Sequence, residues 1–226
     1  MTGTPTTKVD WPRAHRIVSS AEPPIAAFTA LLDDPMELEE LLEVEALTNP
    51  IARLGRLGIA DIPSSERVTG AGASLIMTPF VLPTASRFSD GSYGVFYAGD
   101  ELETAGRERA HHLAIEFKRS RENEIVLRAQ AWAYTLTIDA VLHDLRRSAR
   151  PAPVPGIYNP NDYTVAQQQG RALKFDGSNG VIYESVRHPH HECAGIFRPA
   201  CIANPRFEKS VYFDWDGRTV TFASSP

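Results

Sequence analysis

The stretch Ser86–Gly99, which reads SRFSDGSYGVFYAG, determines how the middle of this chain folds. Its second half, Tyr93–Tyr97, is a short apolar run that predicts a buried strand ending at Gly99 and Asp100. Directly after that strand the sequence predicts a helix over residues 101–118. The apolar residues that mark one stripe of this helix are Leu102, Ala105, Leu113 and Phe117. A strand followed closely by a helix is therefore the centre of the predicted fold.

Helices and strands alternate irregularly along the rest of the chain. Strands are predicted at residues 15–19, 125–138, 180–186, 194–197, 211–215 and 219–222, and helices at residues 34–49 and 163–173. Asp216-Gly217 predicts a hairpin between the last two strands, whereas residues 60–86 carry turn residues and short apolar runs such as Ser74–Met77. The pattern predicts a single α+β domain with a mixed β-sheet. Residues 1–80 are expected to form an extended and helical N-terminal elaboration, and residues 81–226 the core.

The composition excludes several broad classes of protein. With 42% hydrophobic and 23% charged residues among 226, the chain is neither disordered, collagen-like nor a coiled coil. Its 23 Lys and Arg against 28 Asp and Glu give a net charge of −5, which argues against general nucleic-acid binding. We expect no membrane span, because no window holds about 18 consecutive apolar residues. The N-terminus lacks the apolar region of a signal peptide, and only Cys193 and Cys201 are available for a disulfide, so a reducing cytoplasm is expected.

Two motifs contain residue types that bind metal ions or phosphates, but their spacing matches neither a zinc site nor a phosphate loop. The run His188-Pro-His-His-Glu-Cys193, with the pair His111-His112 upstream, offers the ligand types of zinc. It lacks two separated ligand pairs, and adjacent residues of a strand point to opposite faces, so no metal site is predicted and a histidine-rich loop is favoured. Residues 170–172 and 176–180 are rich in glycine, but they lack the phosphate-loop spacing and read better as a turn between a helix and a strand.

A different set of residues points to a shared site. An arginine precedes the central strand, a tyrosine ends it, a glutamate follows in the next helix, and a serine lies on a later strand: Arg87, Tyr97, Glu108 and Ser185. Taken alone, each has a simpler structural explanation. Glu108, for example, lies away from the apolar stripe and is compatible with a solvated helix face paired to a neighbouring cation.

Three segments together resemble the RES-domain family, which is named for its Arg, Glu and Ser residues. They are SRFSDGSYGVFYAG at 86–99, ETAGRE at 103–108 and GSNGVIYESVRHP at 177–189, and the resemblance runs from about Arg16 to Trp215. Members of this family are typically toxins of bacterial toxin–antitoxin pairs, encoded with a helix-turn-helix antitoxin of the Xre type. The resemblance implies a fold similar to that of ADP-ribosyltransferases, with NAD as substrate rather than a resident cofactor.

The family motifs assign roles to individual residues of this chain. Arg16 and Arg87 match the two arginines and would grip the phosphates, with Arg187 as a further cation. Tyr97 would pack against the nicotinamide or its ribose, and Glu108 would stabilise the sugar cation. Ser185 would hydrogen-bond the ribose or a phosphate. The chain departs from some members at Ile17, where they carry tyrosine, so no stacking role is expected there.

The resemblance leaves the acceptor of the ADP-ribosyl group open. Water or phosphate as acceptor would make the protein an NAD glycohydrolase or phosphorylase, which is the favoured reading. A protein acceptor would make it a mono-ADP-ribosyltransferase. A third alternative is a non-catalytic interaction module that only binds its antitoxin. In each case a cognate Xre-type antitoxin is the expected partner, in a hetero-oligomer, and neither nucleic acid nor membrane is expected to bind directly.

Overall fold

A computed structural model of the chain describes residues 3–20, 62–120 and 126–224. The strands are β1 (Thr6–Ser19), β2 (Ala85–Ser86), β3 (Ser89–Asp90), β4 (Phe96–Gly99), β5 (Leu127–Asp144), β6 (Gly180–Glu184), β7 (Glu192–Ile196), β8 (Ile202–Trp215) and β9 (Val220–Ala223). The helices of these ranges are α1 (Ala73–Val81), α2 (Leu102–Arg119) and α3 (Thr164–Phe175), with short 3-10 turns at Ser64–Glu66 and Pro199–Cys201. The helix predicted at residues 34–49 lies outside the described residues.

Seven strands form one mixed sheet in the order β1-β4-β7-β6-β5-β8-β9. The β5–β6 pair is parallel and the other pairs are antiparallel. β1 also pairs with β5, so β1, β4, β7, β6 and β5 are linked in a closed ring. The prediction of an α+β fold with a mixed sheet in one domain is confirmed.

β5 organises this sheet because it is long enough to pair on both edges. One edge pairs with β1 from Thr6–His143 to Ser19–Ala131, and the other pairs with β8 and then with β6. Its buried residues alternate with exposed ones, as expected for a strand with one face in the core. Residues 6–19 therefore belong to the same sheet as the core. The domain division predicted at residue 80 stays a prediction.

The apolar stripe predicted for α2 packs against the sheet. Ala110 and Leu113 are buried against β1, β5 and β8, and Leu102, Ala105 and Phe117 lie at the margin of the same cluster. The helix spans Leu102–Arg119, within one residue of the prediction at each end. This packing leaves the opposite, polar face of α2 to meet other elements.

α3 packs on the segment that carries β2 and β3. Gly170 allows this close approach, because a Cβ there would lie 2.2 Å from the carbonyl oxygen of Phe88. Gln167, one turn earlier, donates to the carbonyl oxygens of Ser86 and Ser89 at 2.9 and 3.2 Å. The position of Arg87, which lies between these contacts, is therefore fixed by α3.

Several local predictions differ from the structure: for example, β1 begins at Thr6 rather than at residue 15, and β8 begins at Ile202 rather than at residue 211. Residues 73–81 form a helix rather than turns, and the strand at Phe96–Gly99 begins three residues later than predicted. β6 ends at Glu184, so residues 185–191 form a loop that joins β6 to β7, which we call the hairpin loop. The hairpin at Asp216-Gly217 is confirmed: Gly217 has a φ of 93°, and the Asp216 N–H donates to the Thr219 carbonyl.

Within the described ranges, no helix combines the length and the apolar character that a bilayer crossing requires. Cys193 and Cys201 are both free thiols.

Candidate active site

The polar face of α2 meets the hairpin loop through three side-chain contacts. The Ser185 hydroxyl donates to Glu108 Oε1 at 2.7 Å. One helical turn earlier, Thr104 Oγ1 lies 3.0 Å from His188 Nδ1, and one turn later His111 Nε2 lies 2.8 Å from Arg187 Nη2. These helix residues are spaced four and three apart, which places them on one face of α2. The helix and the loop are therefore joined along a row of polar contacts with Glu108 at its centre.

Ser185 holds the beginning of the hairpin loop in place. Its side chain is buried, and its Oγ accepts hydrogen bonds from the N–H groups of Arg187 and His188 at 3.1 and 2.9 Å. Its own N–H donates to the carbonyl of His191 at 2.8 Å, which closes the loop. Sequence periodicity placed Ser185 on a strand, whereas the structure places it in the first position of the loop. There it turns its hydroxyl toward Glu108.

Arg187 lies beside His111 at one end of this row. Its Nη2 donates to His111 Nε2 and also to the carbonyl of Pro160 at 2.7 Å. Burial, and then the positive charge of Arg187, lower the pKa of His111 to about 4, so this ring is neutral near pH 7 and can accept the hydrogen bond. The Nε of Arg187 is buried and has no hydrogen-bond partner in the part of the chain that the structure describes. A buried N–H donor without a partner lowers the stability of the folded protein, and a hydrogen-bond acceptor on a ligand would remove that penalty.

A shallow basic cavity of about 450 Å³ opens next to Arg187 and His111, between α2 and β9. Four cations contribute to its wall, namely Arg107, Lys118, Arg187 and Arg218, against the single carboxylate of Glu103. The local excess of positive charge contrasts with the negative charge of the whole chain. An anionic group would be favoured here.

Tyr97 lies on β4 and uses its hydroxyl to fix the segment that carries Arg87. The phenol oxygen accepts the N–H of Phe88 at 3.0 Å and lies 2.9 Å from Ser86 Oγ. Burial raises the pKa of Tyr97 to about 12, and the hydrogen bonds from Ser86 and Phe88 and the charge of Arg87 offset part of that rise. The phenol therefore stays protonated at neutral pH, and its ring rather than its charge is available to a ligand.

Arg87 is itself buried and firmly held. Its Nη1 donates to the carbonyl oxygens of Ile157 and Asn159 at 3.2 and 3.1 Å, and its guanidinium lies 4.5 Å from the ring centroid of Tyr163. The proline-rich segment before Tyr163 and the helix α3 thus pack around this cation. The remaining guanidinium nitrogens are the ones with which Arg87 could bind a ligand.

Arg16 reaches Tyr97 from the neighbouring strand β1. Its Nη1 donates to the Tyr97 carbonyl at 3.0 Å, and its guanidinium stacks 4.2 Å from the ring centroid of Phe96. Burial, followed by the nearby charge of Arg109, lowers the pKa of Arg16 to about 10. Its Nε is buried without a hydrogen-bond partner among the described residues, as is the Nε of Arg187.

Tyr183 connects the two groups of residues. This buried side chain of β6 is within electrostatic range of Glu108, Tyr97 and Arg87. Its pKa is raised well above the ordinary value, chiefly by burial and then by Cys193 and Glu108. The structure thus brings Glu108, Ser185 and Arg187 together through hydrogen bonds, and separately joins Arg16 to Tyr97, whose hydroxyl holds the segment that carries Arg87.

Sequence reasoning did not assign three members of this arrangement to the site: Thr104, Tyr183 and His111, the last of which was considered only as a zinc ligand. Thr104 is fully buried, and its hydroxyl donates to Asp100 Oδ1 at 2.7 Å. A usable signal was present in the helix, because the polar residues Glu101, Thr104, Glu108 and His111 recur at helical spacing.

The histidines of the hairpin loop also occupy defined positions. The rings of His188 and His191 stack in parallel, with centroids 4.0 Å apart and an interplanar angle of 9°. His191 Nδ1 lies 3.1 Å from Asp100 Oδ2. The prediction of no metal site rested on the lack of two separated ligand pairs and on the alternation of side chains along a strand, and the segment is the histidine-rich loop that was favoured there.

Comparison with known proteins identifies a family. The model of the family described as "RES domain" matches residues 65–216, about two thirds of the chain. Among solved structures, the chain is similar to one in the crystal structure of the M. tuberculosis MbcT–MbcA toxin–antitoxin complex, with 12% sequence identity and a TM-score of 0.47. That match covers 92% of this chain and 86% of the other. No curated protein matches the sequence.

Proposed function

The chain belongs to the RES domain family, and from this premise we propose that it is a toxin that cleaves the bond between nicotinamide and ribose in NAD. The observation that carries the proposal is the hydrogen bond of 2.7 Å between Ser185 and Glu108, flanked by Arg187 and His111. It places the glutamate and the serine of the family motif side by side, although 77 residues separate them in the chain.

The chemistry requires negative charge where the bond breaks. When the C1′–N bond of NAD breaks, its electron pair moves to the pyridinium nitrogen, so nicotinamide leaves as a neutral molecule without needing a proton. The ribose becomes an oxocarbenium-like cation, which a fixed carboxylate stabilises. Glu108 would supply that carboxylate, and Ser185 would hold it in one orientation.

The cations would bind the pyrophosphate of NAD. Arg16 and Arg187 each carry a buried Nε without a partner in the described ranges, and Arg187 lines the basic cavity. Planar guanidinium groups suit phosphate oxygens because they donate two parallel hydrogen bonds. Arg87 would act from a fixed position through its remaining nitrogens, and Tyr97 would offer its ring to the nicotinamide or the ribose.

Release of nicotinamide from NAD by the purified protein tests the proposal. The wild-type chain should release it, and Glu108→Gln should abolish release because the neutral amide cannot stabilise the cation. Glu116→Gln is the matched control, because Glu116 lies on the same helix with its side chain 55% exposed and pairs only with Arg109 among the described residues. Wild-type protein that leaves NAD intact, or a Glu108→Gln variant with full activity, would refute the proposal.

The acceptor follows from the products of the same reaction. ADP-ribose formed in plain buffer indicates water, ADP-ribose 1-phosphate formed with added phosphate indicates phosphorolysis, and a labelled protein formed in lysate indicates transfer. We favour water or phosphate.

The proposed toxin needs a neutralising partner, since loss of NAD would harm the cell that makes it. The family resemblance suggests an antitoxin of the Xre type acting in the cytoplasm. Co-expression with the antitoxin encoded beside it should yield a complex in which nicotinamide release is suppressed.

A further inference from the structure

Three potential metal ligands converge where the start of α2 meets the hairpin loop. Glu101, His188 and His191 place one ligand atom each within 4.8 Å of one another. Glu101 Oε1 lies 3.6 Å from His188 Nδ1 and 3.5 Å from His191 Nδ1. We call these residues the Glu-His-His cluster.

These separations are close to those of a tetrahedral zinc site. With zinc–ligand bonds of about 2.0–2.1 Å, the ligand atoms of a tetrahedron lie about 3.3 Å apart. The two measured carboxylate–imidazole separations exceed this edge by only a few tenths of an ångström. The ligand atoms are therefore near enough to share an ion, and the two stacked rings would turn out of their parallel arrangement so that the ion lies in the plane of each imidazole.

The loop conformation explains why both imidazoles face the same carboxylate. His188 and His191 are separated by a turn in which His190 has a φ of 71°, and the His191 N–H donates to the His188 carbonyl. The turn brings the two rings into a parallel stack with both Nδ1 atoms near Glu101. The alternation that separates neighbouring side chains of a strand does not apply here.

The charges around the cluster favour a cation. Asp100 adds a second carboxylate, which lies 3.1 Å from His191 Nδ1 and is held by the N–H of Glu192. Arg107 opposes the cation, but it is paired with Glu103 at 2.8 Å.

We propose that the Glu-His-His cluster is a binding site for a divalent transition metal ion of the zinc type. Three protein ligands and one water would complete a tetrahedron. His188 Nδ1, which lies 3.0 Å from the Thr104 hydroxyl oxygen, would bind the metal, and the neutral ring would carry its single proton on Nε2. The ion would tie the first turn of α2 to the hairpin loop that begins at Ser185. This site is separate from the proposed reaction with NAD and does not depend on it.

The test is zinc binding by the full-length protein after removal of metals with a chelator. Calorimetric titration with Zn²⁺ should give one equivalent, and Co²⁺ in its place should give the visible absorption of a four-coordinate ion. Zinc should also raise the melting temperature, since it binds the folded form. NAD is absent throughout, so failure of the NAD proposal would leave this result unaffected.

Variants identify the ligands. The double substitution His188→Ala with His191→Ala should abolish binding, and Glu101→Gln should weaken it at least tenfold, because even outer contacts of metal sites cost about 10–100-fold in affinity. Glu101→Gln keeps the fold, because this side chain is 46% exposed and makes no capping hydrogen bond. His190→Asn is the matched control in the same loop, where asparagine tolerates the positive φ. Circular dichroism checks that each variant is folded.

Binding of less than one equivalent by the wild-type protein would overturn the proposal. So would a folded Glu101→Gln variant with unchanged affinity, and this result remains decisive if the double variant does not fold.

Discussion

Replacing Ser185 with alanine removes three hydrogen bonds at the junction of α2 and the hairpin loop. The hydroxyl donates to Glu108, and it accepts the N–H groups of Arg187 and His188. Because the side chain is 3% exposed, water cannot readily replace it. The two N–H groups and one carboxylate oxygen would lose a partner, and we expect the free energy of unfolding to fall by roughly 2–4 kcal/mol. For a chain of this size, the melting temperature should fall by about 4–16 °C.

The same substitution should slow the proposed reaction. A hydrogen bond to a charged group contributes about 1.5–3 kcal/mol, and each 1.36 kcal/mol in the barrier changes the rate about tenfold. If Ser185 holds Glu108 in the orientation that stabilises the ribosyl cation, kcat/KM for nicotinamide release should fall about 10- to 150-fold. The assay follows free nicotinamide at a temperature where the variant is folded.

Ser178 provides the matched control at the other end of β6. It is also buried, and its hydroxyl also makes three hydrogen bonds, one with His143 and two with Gly180. Ser178→Ala should lose comparable stability but keep kcat/KM within about twofold of the wild type. The reasoning is refuted if Ser185→Ala keeps its activity within the same limit, or if Ser178→Ala loses as much activity as Ser185→Ala.

Two further substitutions test the packing and the charges around the site. Gly170→Ala should lower the free energy of unfolding by about 1–3 kcal/mol in urea titrations, because its Cβ would overlap the Phe88 carbonyl oxygen, whereas Gly3→Ala, which has open space, should change little. His111→Gln should reduce the loss of stability between pH 7 and pH 5. In the folded protein the pKa of His111 is about 4, below the ordinary value of 6.5. As the pH falls below about 6.5, the imidazole is therefore protonated in the unfolded chain but not in the folded one. The contribution of this pKa difference to the free energy of unfolding is fully present above about pH 6.5 and is lost as the pH falls. Four other histidines also have a lowered pKa, so a residual slope should remain, and an unchanged slope would contradict the assignment.

Local sequence patterns were sufficient to predict α2 and the last hairpin. The spacing of Leu102, Ala105, Leu113 and Phe117 predicted α2 to within one residue at each end, because those side chains face the sheet. Asp216-Gly217 predicted the last hairpin, because its turn needs a residue with positive φ. In both cases the deciding interactions lie close together in sequence.

The pairing of strands that lie far apart in the chain could not be predicted from local sequence patterns. Nothing in residues 6–19 indicates that they pair with residues 131–143, since strand partners are chosen by the whole sheet. The first two residues of the hairpin loop were predicted as a continuation of β6, because Val186 extends the apolar run beyond Glu184. The loop forms there because the Ser185 hydroxyl and N–H bond to residues farther along the same loop.

The candidate site was predicted residue by residue through the family motifs, and the structure shows how those residues are held. Glu108 and Ser185 meet directly, and Arg16 meets Tyr97, as a shared site requires. Thr104 and His111 were not assigned to the site, because their partners, His188 and Arg187, lie more than seventy residues away in the chain. The roles of all these residues toward NAD stay predictions until the reaction is measured.

The ring closed by β1 has a consequence for folding during synthesis on the ribosome. Arg16 is synthesised more than one hundred residues before the end of β5, the strand that holds β1 in the ring and extends to Asp144. The loop that orients Glu108 follows later still, at residues 185–191. Contacts between such distant segments form slowly, because the intervening chain must first be ordered. A nascent chain would therefore remain without a complete candidate site until residue 191 has emerged, and the proposed activity could arise only after that point of synthesis.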